Sequence, residues 1–222
     1  MACPDTVTTK NLSGKLRFVG SNLDVRLPHN ADDSWQNKKL SDDIDETLKL
    51  QGVSYLKRTA IANFTLTLEP TQFTDDDGVE HIDVKQTLSG GFKAPLDSLL
   101  LNGEESSKND DLFGHLIAKS WRSKVDDLDI DFLKEGWSED ILEDGLIAGV
   151  VKSDTAKTGK DWVINVVWGF AVIDGVRRFA RRYKFTTKDR SEPIYVKLYY
   201  DYVYPCACAG FEEENVRTST SV

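Results

Sequence analysis

Residues Val176 to Thr187 read VRRFARRYKFTT, and alternation along an extended chain places Arg177, Phe179, Arg181, Tyr183 and Phe185 on one face, with Arg178, Ala180, Arg182 and Lys184 on the other. The aromatic face is expected to point inward. It would carry Arg177 and Arg181 into an apolar interior, where a guanidinium is costly unless it meets an anionic or strongly polar ligand, a paired carboxylate, or water at the mouth. Aimed at a ligand oxygen, such donors stabilise developing negative charge, and Tyr183 adds a phenol.

The preceding run supplies a wall for such a site. Trp162, Ile164, Val166, Trp168 and Phe170 share one face, and the two indoles, with Phe179, are suited to stacking on a planar conjugated guest. Tyr200 and Tyr202 alternate in phase with Val196 and Leu198, so one or two phenols reach the same cavity. On a further run, Phe113 to Lys124, His115, Lys119 and Trp121 line up as a proton donor, a cation and an aromatic plate. That face is either a pocket face or the solvent side, because Leu116 and Ala118 alternate against it. Lys85 and Gln86 are weaker candidates on an earlier run.

Other chemistries lack local support. The chain has no G-x-S-x-G elbow, no H-E-x-x-H helix, no G-x-G-x-x-G turn and no phosphate-cradling P-loop. Its three histidines, His29, His81 and His115, are too scattered for a histidine-rich metal centre. Asp127-x-Asp129-x-Asp131 has Phe132 where a calcium loop needs glycine and Ser138 where it needs glutamate, so a solvated face is expected. Cys206-Ala-Cys208 lacks the spacing of a redox pair, and Cys3, Cys206 and Cys208 are expected to be reduced thiols. Neither cofactor nor metal is called for.

The elements that position these residues follow from periodicity. From Asp42 to Ile61 the apolar spacing, broken at Gly52, predicts two short helices, with Ser41 as N-cap and Asp42, Asp43 and Asp45 in the first turn. The period then changes to two over Asn63 to Leu68. Asp76-Asp77-Gly78 turns into His81 to Leu88, a β-hairpin. Gly90-Gly91 and Pro95 interrupt the pairing, and Asn102 to Asp111 is polar.

Asp126 to Asp144 holds nine acids and one lysine around Val125, Leu128 and Phe132, which predicts a short acidic surface helix. Strands follow at Gly145 to Lys152, Asp161 to Ile173, Val176 to Thr187 and Pro193 to Tyr204. Asp174-Gly175 is a tight hairpin turn. Hairpin-linked strands with helices only near the front exclude βαβ crossovers and predict a mostly β fold: an antiparallel meander barrel with a short helical lid.

At 222 residues and 25.0 kDa, with 40% hydrophobic content, the chain is expected to bury one core, over residues 1–208, followed by a flexible tail at 209–222. The net charge of −9 argues against a nucleic-acid partner. It is unevenly spread, since residues 151–222 carry 12 Lys/Arg against 9 Asp/Glu, a net +3, leaving −12 on residues 1–150. No leader sequence and no membrane-spanning run is read, so a cytoplasmic protein is expected.

Leu48 to Ile61, LKLQGVSYLKRTAI, resembles the helical lid of the intracellular lipid-binding proteins. Asn11-Leu-Ser-Gly14 with Trp35 is similar to a calycin start, with Lys15 to Ser34 inserted between the glycine and the tryptophan. Residues 35–204, through LSDDIDETLKLQGVS, DDDGVEHIDVKQTLSGG and the WGF, DG and RR segments, resemble a group of fungal lipocalin-like proteins of natural-product clusters. Some of these are tropolone–sesquiterpene hetero-Diels–Alderases.

That resemblance implies a cofactor-independent pericyclase joining a tropolone o-quinone methide to a humulene-type terpene alkene. Arg177, Arg181 and Lys119 would be donors, Tyr183 and Tyr200 proton donors, and Trp162, Trp168, Phe179, Trp121 and His115 the surrounding surface. The alternatives are a non-catalytic carrier of hydrophobic small molecules, or an isomerase or dehydratase of a polyketide or terpenoid. Lipid carriers commonly hold a carboxylate with Arg-x-Tyr on the last strand. Here that strand has Lys197-Leu-Tyr199, while Arg181-Arg-Tyr183 lies one strand earlier. The expected partners are hydrophobic small molecules, with a homodimer left open.

Overall fold

The computed structural model describes residues 1–19, 40–89 and 96–204. Trp35, the expected insertion from residue 20 onward with His29, the Gly90-Gly91 and Pro95 interruption, Cys206, Cys208 and the tail lie outside them. The elements run β1 (Leu16–Phe18), α1 (Asp45–Leu50), α2 (Tyr55–Asn63), β2 (Leu66–Thr74), β3 (Glu80–Leu88), β4 (Asp97–Leu100), β5 (Ser106–Asp110) and β6 (Gly114–Ser123). They continue with α3 (Asp131–Lys134), α4 (Asp140–Asp144), β7 (Leu146–Ser153), α5 (Thr155–Thr158), β8 (Trp162–Ile173), β9 (Val176–Thr187) and β10 (Arg190–Tyr202).

All ten strands form one antiparallel sheet in the order β4-β3-β2-β1-β10-β9-β8-β7-β6-β5. This is the expected meander, rolled up so that β4 and β5 face each other across an unpaired seam. Side chains bridge the seam: Lys108 of β5 pairs with Asp97 of β4, and Arg122 of β6 with Glu80 of β3 at 2.5 Å. The three-residue β1 joins the halves, with Leu16 opposite both Leu68 and Tyr202. It lies within the stretch expected to be inserted, so the sheet is continuous only because Leu16–Phe18 belongs to it.

The β8–β9 hairpin is the longest pairing, and its turn has Asp174 at φ 52° and Gly175 at φ 73°, the type I′ geometry that Asp-Gly favours. The polar segment expected between strands contains β5, and β4 precedes it. Both are edge strands with half-exposed or exposed side chains, so neither shows apolar alternation.

Two plugs close the ends. Residues 1–12 fold across the end holding the β8–β9 turn, burying Cys3, Val7, Thr9 and Leu12. At the other end α1 lies over the interior, its Ile44 and Leu50 packing on Leu116, Trp162, Tyr183, Phe185 and Val196. Ser41 is not the expected cap. Its buried hydroxyl donates to the Val19 carbonyl and accepts from the Tyr199 amide, stitching the lid's approach to β10. Ser54 caps α2 instead.

The acidic segment is helical in two short pieces, α3 and α4, and it is more than a solvated face. Leu128, Leu133 and Ile141 are buried beneath it, and Trp137 packs near Ala171, Ala180 and Tyr199 on the outer side of the sheet. Both faces of β8 and β9 are therefore covered at that end.

Candidate functional site

Cross-strand pairing settles which side chains face the interior. Residues directly opposite each other share a face, so one row runs Arg122, Ile147, Trp168, Arg181 and Leu198, and the next Ser120, Gly149, Val166, Tyr183 and Val196. Leu116 of β6 packs on the inner core of Trp162, Tyr183 and Phe185. The alternation read for β8, β9 and β10 holds throughout.

His115, Lys119 and Trp121 consequently lie on the outer face, with His115 exposed and Lys119 5.4 Å over the Trp121 ring. These three candidates stand apart from the interior. The inner face of β6 is Leu116, Ala118, Ser120 and Arg122, and Arg122 is tied to Glu80 and to the Thr9 carbonyl. Gln86 shares a face with Ile82 and Val84, both buried, and Lys85 is on the outside with Glu69.

Of the two inward arginines of β9, Arg177 is fully engaged. It donates to the Pro4 and Val7 carbonyls at 3.0 Å each, pairs with Asp140 at 2.5 Å, and stacks 3.9 Å over Phe170. Its work is to hold the amino-terminal plug and α4 together.

Arg181 differs. Its guanidinium lies 3.9 Å from the Trp168 ring centroid, 5.5 Å from Tyr200 and 5.9 Å from Phe179. Among the described residues it has no carboxylate partner, and its buried Nε–H has no acceptor. Burial pushes the Tyr200 phenol above its ordinary pKa, with the Arg181 charge and hydrogen bonding pulling the other way.

Trp168, Phe170, Phe179 and Tyr200 form a chain of tilted and edge-on rings with centroids 5.6 to 6.1 Å apart. Trp162 is buried under the lid, between Phe113 and Phe185, and its indole N–H also lacks an acceptor among the described residues. Tyr183 shares a 3.1 Å hydrogen bond with Thr47 of α1, and burial pushes its phenol up to about 12. A phenol that weak as an acid is a hydrogen-bond donor rather than a source of protons near neutral pH.

Around Arg181 the interior is filled by Leu12, Leu16, Leu68, Pro70, Val84, Trp168 and Phe179, packed too closely to leave room for a water molecule. Toward the lid, Val151, Ile164, Val166, Ile194 and Leu198 are inward-facing yet only half-buried, a continuous apolar surface without full cover. The arrangement offers two N–H donors, two phenols and an aromatic wall in an apolar interior. Sequence reasoning missed Arg122, Glu80 and the amino-terminal plug, because contacts between residues 42 to 173 positions apart leave no local periodicity.

No family model and no curated protein matches the chain. Solved structures with a similar fold include the REP1-NXSQ fatty acid transporter, at 15% identity and TM-score 0.44, covering 87% of this chain and 97% of that one. The Echinococcus granulosus fatty-acid-binding protein 1 aligns at 11% identity and TM-score 0.47, covering 87% and 98%, and the fluorescent protein UnaG at 14% and 0.44, covering 86% and 97%.

Proposed function

We propose that this protein binds one hydrophobic small molecule inside the barrel, oriented by a polar oxygen-bearing group on Arg181. The observation that carries the reading is the unequal treatment of four arginines on one strand. Arg177 and Arg178 have carboxylates, Arg182 has backbone carbonyls, and Arg181 has aromatic rings and the Tyr200 phenol. A guanidinium without a counter-charge inside an apolar chamber is a standing cost, which a ligand oxyanion or carbonyl removes. The half-buried Val151, Ile164, Val166 and Leu198 then take the apolar remainder of the guest, and entry requires the closely packed side chains beside Trp168 to part.

A second reading adds turnover. Arg181 and Tyr200 present donors toward one region of a closed aromatic chamber, the requirement for lowering the electron demand of an oxygen-bearing heterodiene while holding an alkene beside it. With the motif resemblance described above, this supports an intermolecular hetero-Diels–Alder reaction between a tropolone o-quinone methide and a humulene-type alkene.

Titration with 8-anilinonaphthalene-1-sulfonate and with oleate tests the binding reading. The expected outcome is one-to-one binding, weakened tenfold or more by Arg181→Met and by Trp168→Ala, and unchanged by Lys85→Met on the outer face. Affinity indifferent to Arg181 in folded protein overturns the site. Incubation with a hydroxymethyl-tropolone precursor and a humulene-type alcohol decides between carrier and catalyst: a stereochemically single adduct formed faster than in the protein-free control is turnover, and a stable complex with product matching the control is carriage.

A further inference from the structure

The outer side of β6 to β10 is divided into two halves of opposite charge. One half is covered by residues 125–144, whose Asp126, Asp127, Asp129, Asp131 and Glu135 are exposed or half-exposed. The other half, nearer the lid, is sheet with nothing laid over it among the described residues. One cross-strand row there runs Lys119, Val150, Asn165, Lys184 and Tyr195, and the next Ile117, Lys152, Val163 and Thr186. Lys197 and Trp121 end the row at the border between the halves.

An antiparallel sheet facing water is normally polar on that side. Here Ile117, Val150, Val163 and Tyr195 alternate with lysines, and Tyr195 is 43% exposed although Phe132 stacks on it. Only Lys152 of these lysines has a carboxylate among the described residues, Glu105 at 2.8 Å. Lys119 and Lys197 instead lie over the rings of Trp121 and Phe132. In a chain of net charge −9, a bare lysine-and-valine face beside an acidic one is a polarised surface.

We infer that this face is the interface of a two-fold dimer of the chain. A two-fold axis lying in the interface along the border, parallel to the cross-strand rows, lays the lysine half of each copy on the acidic half of the other, so every contact occurs twice. At about 4.8 Å between strands and 3.3 Å per residue, five strands by six residues give each half roughly 480 Å². The two halves together reach the ~800 Å² per partner of a stable interface. Charge complementarity chooses a second copy over other occupants, because the molecule carries both complementary surfaces side by side.

Sedimentation equilibrium of the full chain at 20 mM and 500 mM salt tests the inference. The expected result is a dimer whose dissociation constant rises at least tenfold with salt. Lys119→Glu with Lys184→Glu reverses the two central lysines of the basic half, and Asp131→Lys with Glu135→Lys reverses two of the five acids of the other half. Each double variant is expected to be monomeric with unchanged circular dichroism, and an equimolar mixture to recover a heterodimer. A monomeric wild type at 100 µM and low salt overturns the proposal, as does a dimer indifferent to both reversals or a mixture that stays monomeric.

Discussion

Arg177, Arg178, Arg181 and Arg182 fall within six consecutive positions of one strand and meet four different environments. Alternation was enough to read that the first and third face inward with Phe179 and Tyr183. It could not show that the second and fourth are also buried, because what covers them is the remote segment 125–144 and the chain's first residues. Arg178 donates to Asp201 at 2.8 Å and to the Ile173 carbonyl, with Asp201 also holding the Met1 ammonium at 2.8 Å. Removing one partner of a buried ion pair leaves the other charge uncompensated. Arg178→Met is therefore expected to cost about 3–5 kcal/mol in urea unfolding, whereas Arg190→Met, at an exposed pair with Glu46, costs under about 0.5 kcal/mol.

The long strands were legible because β8 to β10 turn their large apolar and aromatic residues to one face and so keep a period of two. The edge strands β4 and β5 were not, since exposure on both sides removes the pattern. The segment between β6 and β7 was legible as acidic and helical but not as a cover, because its packed side chains, Leu128, Leu133, Trp137 and Ile141, are spread over too many residues for one helical stripe. Gly169 shows how closely it packs: a methyl group there would lie 2.7 Å from Leu146 and 3.1 Å from the Trp137 ring. Gly169→Ala is expected to push Trp137 off its stack on Arg182 and to destabilise by about 1–3 kcal/mol through overpacking. Loss of near-ultraviolet ellipticity with retained far-ultraviolet signal, alongside the lower urea midpoint, is the check.

Over the whole molecule, titration limits stability from both sides. Burial raises the pKa of Glu80, but Arg122 and Gln72 outweigh it and hold the carboxyl below its ordinary value, while Lys10 does the same for Asp144. Their contribution is present above the unfolded carboxylate pKa values of about 4 and is lost as pH falls through the lower folded values. On the alkaline side, burial lifts Cys3 to about 11, against the pull of Arg177, and lifts Tyr183 to about 12. The folded state then resists ionisation that the unfolded chain undergoes from about pH 8.5 upward for cysteine and about 10 for tyrosine. The melting temperature is expected to be flat between about pH 5 and 8, to fall below about pH 4, and to fall again above about pH 9. Cys3→Ala is expected to delay the alkaline fall.

The amino-terminal plug also fixes an order of events during synthesis. Val7 accepts from Arg177, 170 residues later in the chain, and Thr9 donates to the carbonyl of Gly145. At roughly 5–20 residues per second, a ribosome makes the plug about 9–34 s before it makes β9. Throughout that interval Val7, Leu12 and Leu16 have no finished barrel to enter. These apolar residues are among the last of their neighbours to be covered, so a chaperone that holds exposed apolar segments is expected to bind the nascent chain in that interval.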